Sequence, residues 1–268
     1  MALTVCTWNV NSIRLRMPHL DRLVEAVAPD VLCLQETKVR DELFPLLELA
    51  GHGYTHTALH GMKGYNGVAI LSRKPLEDVR TQGWCGREDC RHVSARVDGV
   101  EIHNLYVPAG GDLPDAEKNP KFAHKLQFLD DLGDWFAGTY GTRDPLILVG
   151  DLNVAPLETD VWDHKRLSRV ITHTPIEIAR LNRLQSSLRW VDVARRFVPP
   201  DEFLFTWWSY RQGPDGADWQ RVNRGRRLDH IWATAPVADT ATRFEVLAEA
   251  RAWLPPSDHV PVVATFGG

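Results

Sequence analysis

The chain of 268 residues carries 44% hydrophobic and 25% charged side chains, the balance of an ordinary globular protein, and its net charge of −4 argues weakly against a nucleic-acid partner. The sequence shows no secretory signal, no apolar run near the roughly 18 residues of a membrane-spanning helix, and too few cysteines for a disulfide scaffold. We therefore expect a single domain over residues 1–268, monomeric and cytoplasmic, without a membrane partner.

The hydrophobic pattern of the first half predicts more strands than helices. In chain order the predicted elements are a strand at 3–10, a helix at 19–30, a strand at 30–36, a short amphipathic segment at 43–49, and strands at 54–60, 67–73 and 78–83. Residues 92–108 form a predicted hairpin, because Asp98–Gly99 is a strong type I′ turn signal between two alternating runs.

The second half opens with a long predicted helix, whose apolar face carries Phe122, Leu126, Leu129, Leu132 and Phe136. Then follow a strand at 145–151, a helix at 174–188, and strands at 226–234, 243–250 and 260–266. This order is too rich in strands for a doubly wound sheet and predicts an α/β fold of two packed sheets covered by helices. Because "TWNVN" and "DLNV" end two strands in a similar way, we expect the sheets to share one site.

Polar side chains stand where apolar strands meet loops. Each one alone fits a structural role, such as a turn or a cap, but together they indicate a site at one edge of the sandwich. The residues are Asn9, Asn11, Glu36, Tyr106, Asp151, Asn153, Asp229, Asp258 and His259. Alternation along a strand puts Asp151 and Asn153 on one face. It also separates Asp229 from His230, so that Asp229 can orient His259 from a neighbouring strand.

These residue types select a chemistry. Carboxylates and amides without a Cys/His cluster suit Mg²⁺ or Mn²⁺ better than zinc. A metal carboxylate, a second carboxylate and a His–Asp pair are what the hydrolysis of a phosphodiester requires, because charge must be neutralised and water must be oriented.

Basic residues cluster near tryptophans in the last third of the chain. Arg221, Arg224, Arg226 and Arg227 follow Trp207, Trp208 and Trp219. Two other basic clusters lie earlier in the chain, one with Lys118, Lys121 and Lys125 and one with Lys165, Arg166 and Arg169. Such runs are usually solvated faces, but basic side chains interleaved with aromatic rings can also bind phosphates and stack on sugars or bases.

Seven segments, "TWNVNSIR", "LCLQETK", "YVPAGG", "VGDLNVAP", "FTWWSYR", "RRLDHIWA" and "PSDHVPV", resemble in order the motifs of the exonuclease III family of apurinic/apyrimidinic endonucleases. The resemblance spans nearly the whole chain. It implies a four-layered α/β sandwich with two packed, mostly antiparallel sheets. It also implies metal-dependent hydrolysis of double-stranded DNA, either 5′ to abasic sites, from 3′ ends, or at damaged 3′ ends.

The resemblance assigns roles motif by motif. It implies a metal site formed by Glu36, Asn9, Asn11 and Asp258, with Asp151 and Asn153 as a possible second position. It implies that Asp151 orients or deprotonates the attacking water and that Asn153 holds Asp151 in place. It also implies that His259, paired with Asp229, binds the phosphate and that the Tyr106 phenol lies near that phosphate. The implied substrate contacts are Trp207 and Leu228, which wall a pocket for a base-free sugar, together with Trp208, Arg221 and Arg224.

Two positions depart from the family pattern. Ala109 replaces an expected amide, and Arg226 stands where an apolar pocket residue is common, so the preferred substrate stays open. Two other functions also stay open at this point: a phosphatase of the wider superfamily that acts on lipid or inositol phosphates, and a DNA-binding module without catalysis.

Overall fold

The computed structural model describes residues 2–211 and 219–267. In these ranges the strands are β1 (Leu3–Asn9), β2 (Val31–Gln35), β3 (His56–His60), β4 (Val68–Ser72), β5 (Glu77–Thr81), β6 (His92–Val97), β7 (Val100–Tyr106), β8 (Leu146–Asp151), β9 (Val191–Asp192), β10 (Trp207–Trp208), β11 (Gly225–Arg226), β12 (Asp229–Ala233), β13 (Ala241–Val246) and β14 (Val262–Phe266).

The α-helices of the same ranges are α1 (Ile13–Arg16), α2 (Leu20–Val27), α3 (Leu46–Gly51), α4 (Pro120–Thr139), α5 (His164–Leu167), α6 (Pro175–Ser187), α7 (Ala194–Phe197), α8 (Trp219–Val222) and α9 (Ala235–Ala238). Short 3₁₀ helices lie at Met17–His19, Asp41–Leu43, Glu158–Asp160 and Ala248–Ala252. Along these stretches no helix combines the length and apolar character that crossing a membrane requires.

Two six-stranded sheets organise the fold. The first has the order β13-β14-β1-β2-β4-β3 and the second has the order β5-β6-β7-β8-β12-β9. The pairs β1–β2 and β7–β8 are parallel, whereas the other neighbouring pairs are antiparallel. Each sheet therefore has one parallel pair at its centre, flanked by β14 in the first sheet and by β12 in the second.

The alternation of side chains along the central strands builds three hydrophobic layers. Val5 and Ile147 belong to the cluster between the two sheets, and their neighbours Cys6 and Leu148 point to the outer faces. The outer face of the first sheet packs against α2 and α3, and that of the second packs against α4 and α6. The result is the four-layered α/β sandwich that the sequence predicts.

Local signals fix the ends of several elements. Asp98 and Gly99 both have positive φ, 50° and 82°, in the tight turn that joins β6 to β7. The side chain of Asn119 accepts from Lys121 N at the start of α4, and Thr174 forms a capping box with Glu177 at the start of α6.

Most predicted strands extend beyond the observed ones by a residue or two, and two differ by more. The strand predicted at 243–250 ends at Val246, because the Ala-rich segment that follows forms a 3₁₀ helix. The strand predicted at 226–234 is interrupted, since Arg227 N donates to Asp160 O and Leu228 O accepts from Leu152 N. Residues before this break therefore pair with β10, and only the residues from Asp229 onward join the second sheet.

Candidate active site

The second sheet delivers Asp151 to the edge of the sandwich. Asp151 ends β8, where it pairs in parallel with Tyr106 and in antiparallel fashion with Asp229. The preceding residue, Gly150, has φ 136°, and a Cβ at this position would lie 1.9 Å from Leu105 O. A glycine is required here, because it lets β7 approach β8 closely and brings Tyr106 beside Asp151.

Asn153 holds the Asp151 carboxylate in a tight turn. Its backbone N–H donates to Asp151 Oδ1 at 2.9 Å, and its Nδ2 donates to Asp151 Oδ2 at 3.1 Å and to Val107 O at 2.9 Å. Asn153 has φ 52°, in the left-handed region that asparagine tolerates better than most residues. The buried Lys125 ammonium donates to Asn153 O at 2.8 Å and to Glu177, so α4 and α6 both fix this turn.

The first sheet contributes Glu36 and Asn9. Asn9 ends β1, and Glu36 follows β2 with φ 53°, a sparsely populated conformation for glutamate. Glu36 accepts from Tyr106 OH at 2.8 Å and pairs with Lys38 Nζ at 2.8 Å. Lys38 also donates to Asn11 Oδ1 at 2.5 Å, so its ammonium group bridges two oxygen ligands of the predicted metal site.

Asn9 joins the two sheets at the site. Its Nδ2 donates to Glu36 Oε1 at 3.0 Å and to Asp151 Oδ2 at 2.9 Å. Its Oδ1 accepts from the backbone N–H of Asn11 at 3.1 Å. The expectation of one shared site agrees with this contact, which connects the end of β1 directly to the end of β8.

His259 lies between two carboxylates. Its Nδ1 is 2.9 Å from Asp229 Oδ2, and its Nε2 is 3.6 Å from Asp151 Oδ2. Thr206 Oγ1 donates to Asp229 Oδ2 at 2.6 Å, which fixes the carboxylate that faces His259. His230 lies on the other face of β12, where its Nε2 is 2.9 Å from Val154 O, as alternation predicts.

Asp258 and Trp207 complete the same side of the site. Trp207 Nε1 donates to Asp258 Oδ2 at 3.0 Å, and Asn11 Nδ2 donates to Asp258 Oδ1 at 3.3 Å. On the other side, the Arg91 guanidinium lies 4.7 Å from the centre of the Tyr106 ring. Arg91 and Lys38 are site neighbours that the sequence reasoning missed. The segment "QETK" could have indicated the contact of Lys38, because it places this basic residue two positions after Glu36.

Burial and local charges separate the acidities of these groups. Burial raises the pKa of Asp151 to about 7, with further contributions from the Asp229 and Glu36 carboxylates, against the opposing effect of His259. Burial also disfavours the ionised form of Glu36, but hydrogen bonds from Asn9, Lys38 and Tyr106 outweigh it and lower the pKa of that carboxyl.

The two aspartates beside His259 reverse the effect of burial on the imidazole. Burial alone would lower the pKa of His259, but Asp229 and Asp151 raise it to about 10. Burial raises the pKa of the Tyr106 phenol well above its usual value, and the Glu36 carboxylate adds to this effect. At neutral pH the site therefore contains a positive His259 and a protonated Tyr106.

A cleft of about 540 Å³ opens at these residues. The predicted catalytic and metal residues in its walls are Glu36, Tyr106, Asp151, Asn153, Asp258 and His259. Its walls also include Trp207, Leu228, Ile171, Thr172 and Arg226. Trp207 and Leu228, which are predicted to wall a sugar pocket, thus line the same cleft as the carboxylates.

Other predicted substrate residues lie away from this cleft. Trp208 is buried in the core, where its Nε1 donates to Asn223 Oδ1 at 3.1 Å and its ring packs on Trp219. Its position favours a structural role. Arg221 and Arg224 are exposed, and the Arg224 guanidinium lies 4.8 Å from the centre of the Trp162 ring.

Two members of the predicted basic clusters are structural residues. Lys125 is fully buried in its contact with Glu177, and Arg227 is 1% exposed between Asp160 and Asp192. Neither side chain presents its charge to solvent, so these two positions are not part of a basic surface for DNA.

Comparisons with known proteins agree with this fold. The family described as Endonuclease/Exonuclease/phosphatase matches residues 6–259. The chain is 31% identical to exodeoxyribonuclease III of Haemophilus influenzae, over 97% of this chain and 98% of that protein. It therefore belongs to the Endonuclease/Exonuclease/phosphatase family, and the predicted resemblance to the exonuclease III type is confirmed.

Solved structures of related proteins have the same fold. An AP endonuclease from Archaeoglobus fulgidus matches with a TM-score of 0.89 and 34% identity, over 98% of this chain and 99% of that one. A 3′ phosphatase from Neisseria, bound to a product DNA hairpin, matches with a TM-score of 0.89 and 34% identity, over 99% of this chain and 100% of that one. The four-layered sandwich is thus that of DNA-processing enzymes.

Proposed function

We propose that the protein is a divalent-metal-dependent DNA phosphodiester hydrolase of base-excision repair, which acts on double-stranded DNA at abasic sites or at 3′ ends. The observation that carries this proposal is that Glu36, Asp151 and His259, which is paired with Asp229, line one cleft together with the side chains of Trp207 and Leu228. The names of the relatives and structural neighbours support it, because they include nuclease, AP endonuclease and 3′ phosphatase activities.

The donor set of the first sheet fits a hard cation. Glu36, Asp258 and Asn11 offer oxygen ligands, and the Lys38 ammonium that bridges Glu36 to Asn11 marks a position where positive charge is stabilised. The cluster formed by Asp151, Asp229 and His259 is less suited, because both ring nitrogens of a positive His259 carry protons.

The role that we infer for Asn9 differs from the predicted role of metal ligand. Its amide nitrogen faces Glu36 and Asp151, so we infer a bridging donor rather than a direct metal ligand. Bound Mg²⁺ or Mn²⁺ at Glu36, Asn11 and Asp258 would neutralise charge on the scissile phosphate.

The residues of the second sheet are arranged for proton transfer and charge stabilisation. A carboxyl with a pKa of about 7 accepts a proton from water near neutral pH, so Asp151 is our candidate general base, with Asn153 fixing its orientation. The positive His259, held by Asp229, donates from Nε2 toward the phosphate oxygens, and the protonated Tyr106 supplies a second donor.

We assign recognition to the aromatic and apolar residues of the cleft and to exposed arginines outside it. Trp207 and Leu228 are proposed to hold a base-free sugar, for which a narrow apolar wall is more suitable than it is for an intact nucleotide. Arg221 and Arg224 are proposed to bind backbone phosphates, and each lost contact should reduce the salt dependence of binding by about 0.9 in slope.

We further propose that residues 1–268 form one catalytic domain that acts as a monomer in the cytoplasm. The first sheet supports the single domain, because β1 pairs with β14 and so joins the two ends of the sequence. Four free thiols are typical of a reducing compartment. Sedimentation of the purified chain would test the monomer.

Cleavage of matched duplexes tests the function. One duplex carries an internal abasic analogue, the second a recessed 3′ end, and the third is an intact blunt control; each is incubated with Mg²⁺ or with EDTA. We expect metal-dependent cleavage of at least one of the first two. Inositol and phospholipid phosphates are added as separate substrates, and phosphate release from these without DNA cleavage would favour the lipid or inositol phosphatase instead. Tight DNA binding without any cleavage would favour a binding module.

A further inference from the structure

The cleft carries a half-buried arginine, Arg226, that the proposed mechanism does not use. Arg226 pairs with Trp207 between β11 and β10, and its guanidinium lies 5.2 Å from the centre of the Trp207 ring. Its Nη1 donates to Ile171 O at 3.1 Å and to Thr172 Oγ1 at 2.7 Å. Within the described residues its hydrogen bonds use Nη1, so Nη2 and Nε keep their donors for a group in the cleft.

The residue that holds Arg226 is itself tightly fixed. Thr172 has φ 88°, an unusual conformation for a β-branched residue. Its N–H donates to both oxygens of Glu177, at 3.0 and 3.1 Å, and its carbonyl accepts from Ala155 N at 2.7 Å. Strained backbone that several contacts hold in place is common at ligand-binding positions, so the orientation of Arg226 is built into the fold.

The position of Arg226 defines which part of a substrate it meets. The reacting phosphate belongs with Asp151 and His259, and Trp207, Leu228 and Arg226 line the same cleft. Under the proposed function, a group attached to that phosphate on the side away from the DNA 3′ oxygen would meet these three residues. An apolar wall suits a neutral sugar, but a guanidinium with two available donors suits a carboxylate or a phosphate, with which it forms paired hydrogen bonds.

We propose that Arg226 is a specificity-determining residue, which makes the cleft prefer 3′ ends whose terminal phosphate carries an anionic fragment of a broken sugar over ends that carry a neutral group. The anion is a carboxylate or a further phosphate, since a guanidinium recognises both. This inference rests on the proposed function, because it concerns the group linked to the phosphate that is hydrolysed.

The reaction on such an end is an ordinary hydrolysis. The water oxygen forms a bond to phosphorus and its proton goes to the Asp151 carboxylate. The bond between phosphorus and the DNA 3′ oxygen breaks, and that oxygen takes up a proton to become a 3′ hydroxyl. The phosphate leaves with its sugar fragment, whose anionic group stays paired with Arg226 until release.

A matched pair of substrates tests the proposal. The first duplex ends in a 3′-phosphoglycolate, and the second ends in the neutral, isosteric 3′-phosphoglycolamide. A second pair, a 3′-terminal tetrahydrofuran residue with and without its own 3′ phosphate, tests phosphate as the anion. For the wild type we expect kcat/KM to favour the anionic member of at least one pair by about 10- to 100-fold, the range for a hydrogen bond to a charged group.

Three variants assign this preference to the arginine. Arg226→Leu removes the charge and the donors, Arg226→Gln keeps a neutral donor toward Ile171 O, and Arg243→Leu makes the same charge change on β13, away from the cleft. We expect both Arg226 variants to bring the ratio of kcat/KM values close to one through loss on the anionic substrate. The Arg243 variant should keep the wild-type ratio.

The outcomes separate this inference from the proposed function. If the wild type cleaves both members of each pair equally, or if both Arg226 variants keep the preference, the inference fails while the nuclease assignment stands. Equal loss on both members, in a variant whose melting temperature is unchanged, would also refute it. If Arg226→Leu unfolds, the ratio of kcat/KM values measured for Arg226→Gln decides whether the inference stands. Failure of the wild type to cleave any of the four substrates or the duplexes above would overturn the nuclease assignment itself.

Discussion

In the first sheet the central carboxylate of the site is Glu36, beyond the end of β2, and in the second sheet it is Asp151, at the end of β8. We refer to Glu36 with Asn11 and Asp258 as the Glu36 corner, and to Asp151 with Asn153 as the Asp151 corner. Each corner lies at the end of a parallel pair of strands with an antiparallel partner. The same local architecture is therefore used twice.

The surroundings of the two carboxylates give them opposite acidities. Lys38, Tyr106 and Asn9 lower the pKa of Glu36, whereas burial raises the pKa of Asp151 to about 7. A carboxylate that stays ionised suits a metal ion, and one that titrates near neutrality suits a base. Acid and base roles in one cleft can thus be set by neighbours rather than by residue type, as in other enzymes with paired carboxylates.

The largest expected effect comes from the Asp151 corner. Asp151→Asn should lower the rate of DNA hydrolysis by about 10²–10⁴-fold, the usual contribution of a positioned base. Binding of abasic duplex should persist, because the cleft wall and the exposed arginines are unchanged. Single-turnover cleavage at saturating Mg²⁺ and a fluorescence-anisotropy titration measure the two effects. Near-wild-type turnover would remove Asp151 from the mechanism.

Lys125, which holds the Asp151 corner in place, should be nearly as sensitive to substitution. Lys125→Met leaves the buried Glu177 carboxylate without its cation, and breaking a buried pair costs about 3–5 kcal/mol of unfolding free energy. Because Lys125 also donates to Asn153 O, kcat should fall more than metal affinity does.

Urea unfolding and a Mn²⁺ titration together measure these changes. The double variant Lys125→Met/Glu177→Gln is the control, since it removes both charges and should recover part of the stability. A Lys125 variant of wild-type stability would show that the pair does not support the fold.

Much of both corners is visible in the sequence, because the signals there are local. Asp151 and Asn153 follow an apolar strand, and alternation along β12 correctly separates Asp229 from His230. The contact between Asp229 and His259 is also predicted, although it joins the two sheets and not two neighbouring strands, because Asp229 lies in β12 and His259 precedes β14. The tight turn at Asp98–Gly99 is predicted by two residues alone.

The parts that sequence reasoning missed depend on distant partners. Lys125 resembles a surface residue beside Lys121, and only the approach of α6 brings Glu177 to it. Arg227 belongs to a basic run in the sequence, yet Asp160 lies 67 positions earlier in the chain. Single-sequence patterns report periodicity and local charge, but they do not report which buried charges meet. The same limit explains why Trp208 and Trp207 look equivalent before the fold is known.

A substitution in the Glu36 corner should change the metal concentration that activity requires more than it changes the rate at saturating metal. If Glu36 is a ligand of the proposed metal, Glu36→Gln replaces a charged ligand by a neutral one, and we expect the metal concentration for half-maximal activity to rise by about 10- to 100-fold. Calorimetric titration with Mn²⁺ in the absence of DNA gives a second measurement that does not depend on turnover. Unchanged metal binding together with an unchanged activity curve would place the metal elsewhere.

The smallest effect concerns Asn9, which links the two corners. If Asp151 is the base, kcat/KM should rise with pH up to about 7 and then level off, because the ionised carboxylate is the active form. The amide of Asn9 favours the ionised form of Asp151, so Asn9→Leu should move this rise to higher pH. The expected displacement is about half to one pH unit, since one hydrogen bond contributes about 0.5–1.5 kcal/mol and one pKa unit corresponds to about 1.4 kcal/mol.

The same variant also decides what Asn9 does at the Glu36 corner. Glu36 keeps its contacts with Lys38 and Tyr106, so a bridging donor can be lost without a large change in the metal requirement at pH 8. If Asn9 is instead a direct metal ligand, its loss should raise the metal requirement, as Glu36→Gln does. A pH profile that stays in place while the metal requirement rises would therefore show that Asn9 belongs to the metal site and that the two corners titrate independently.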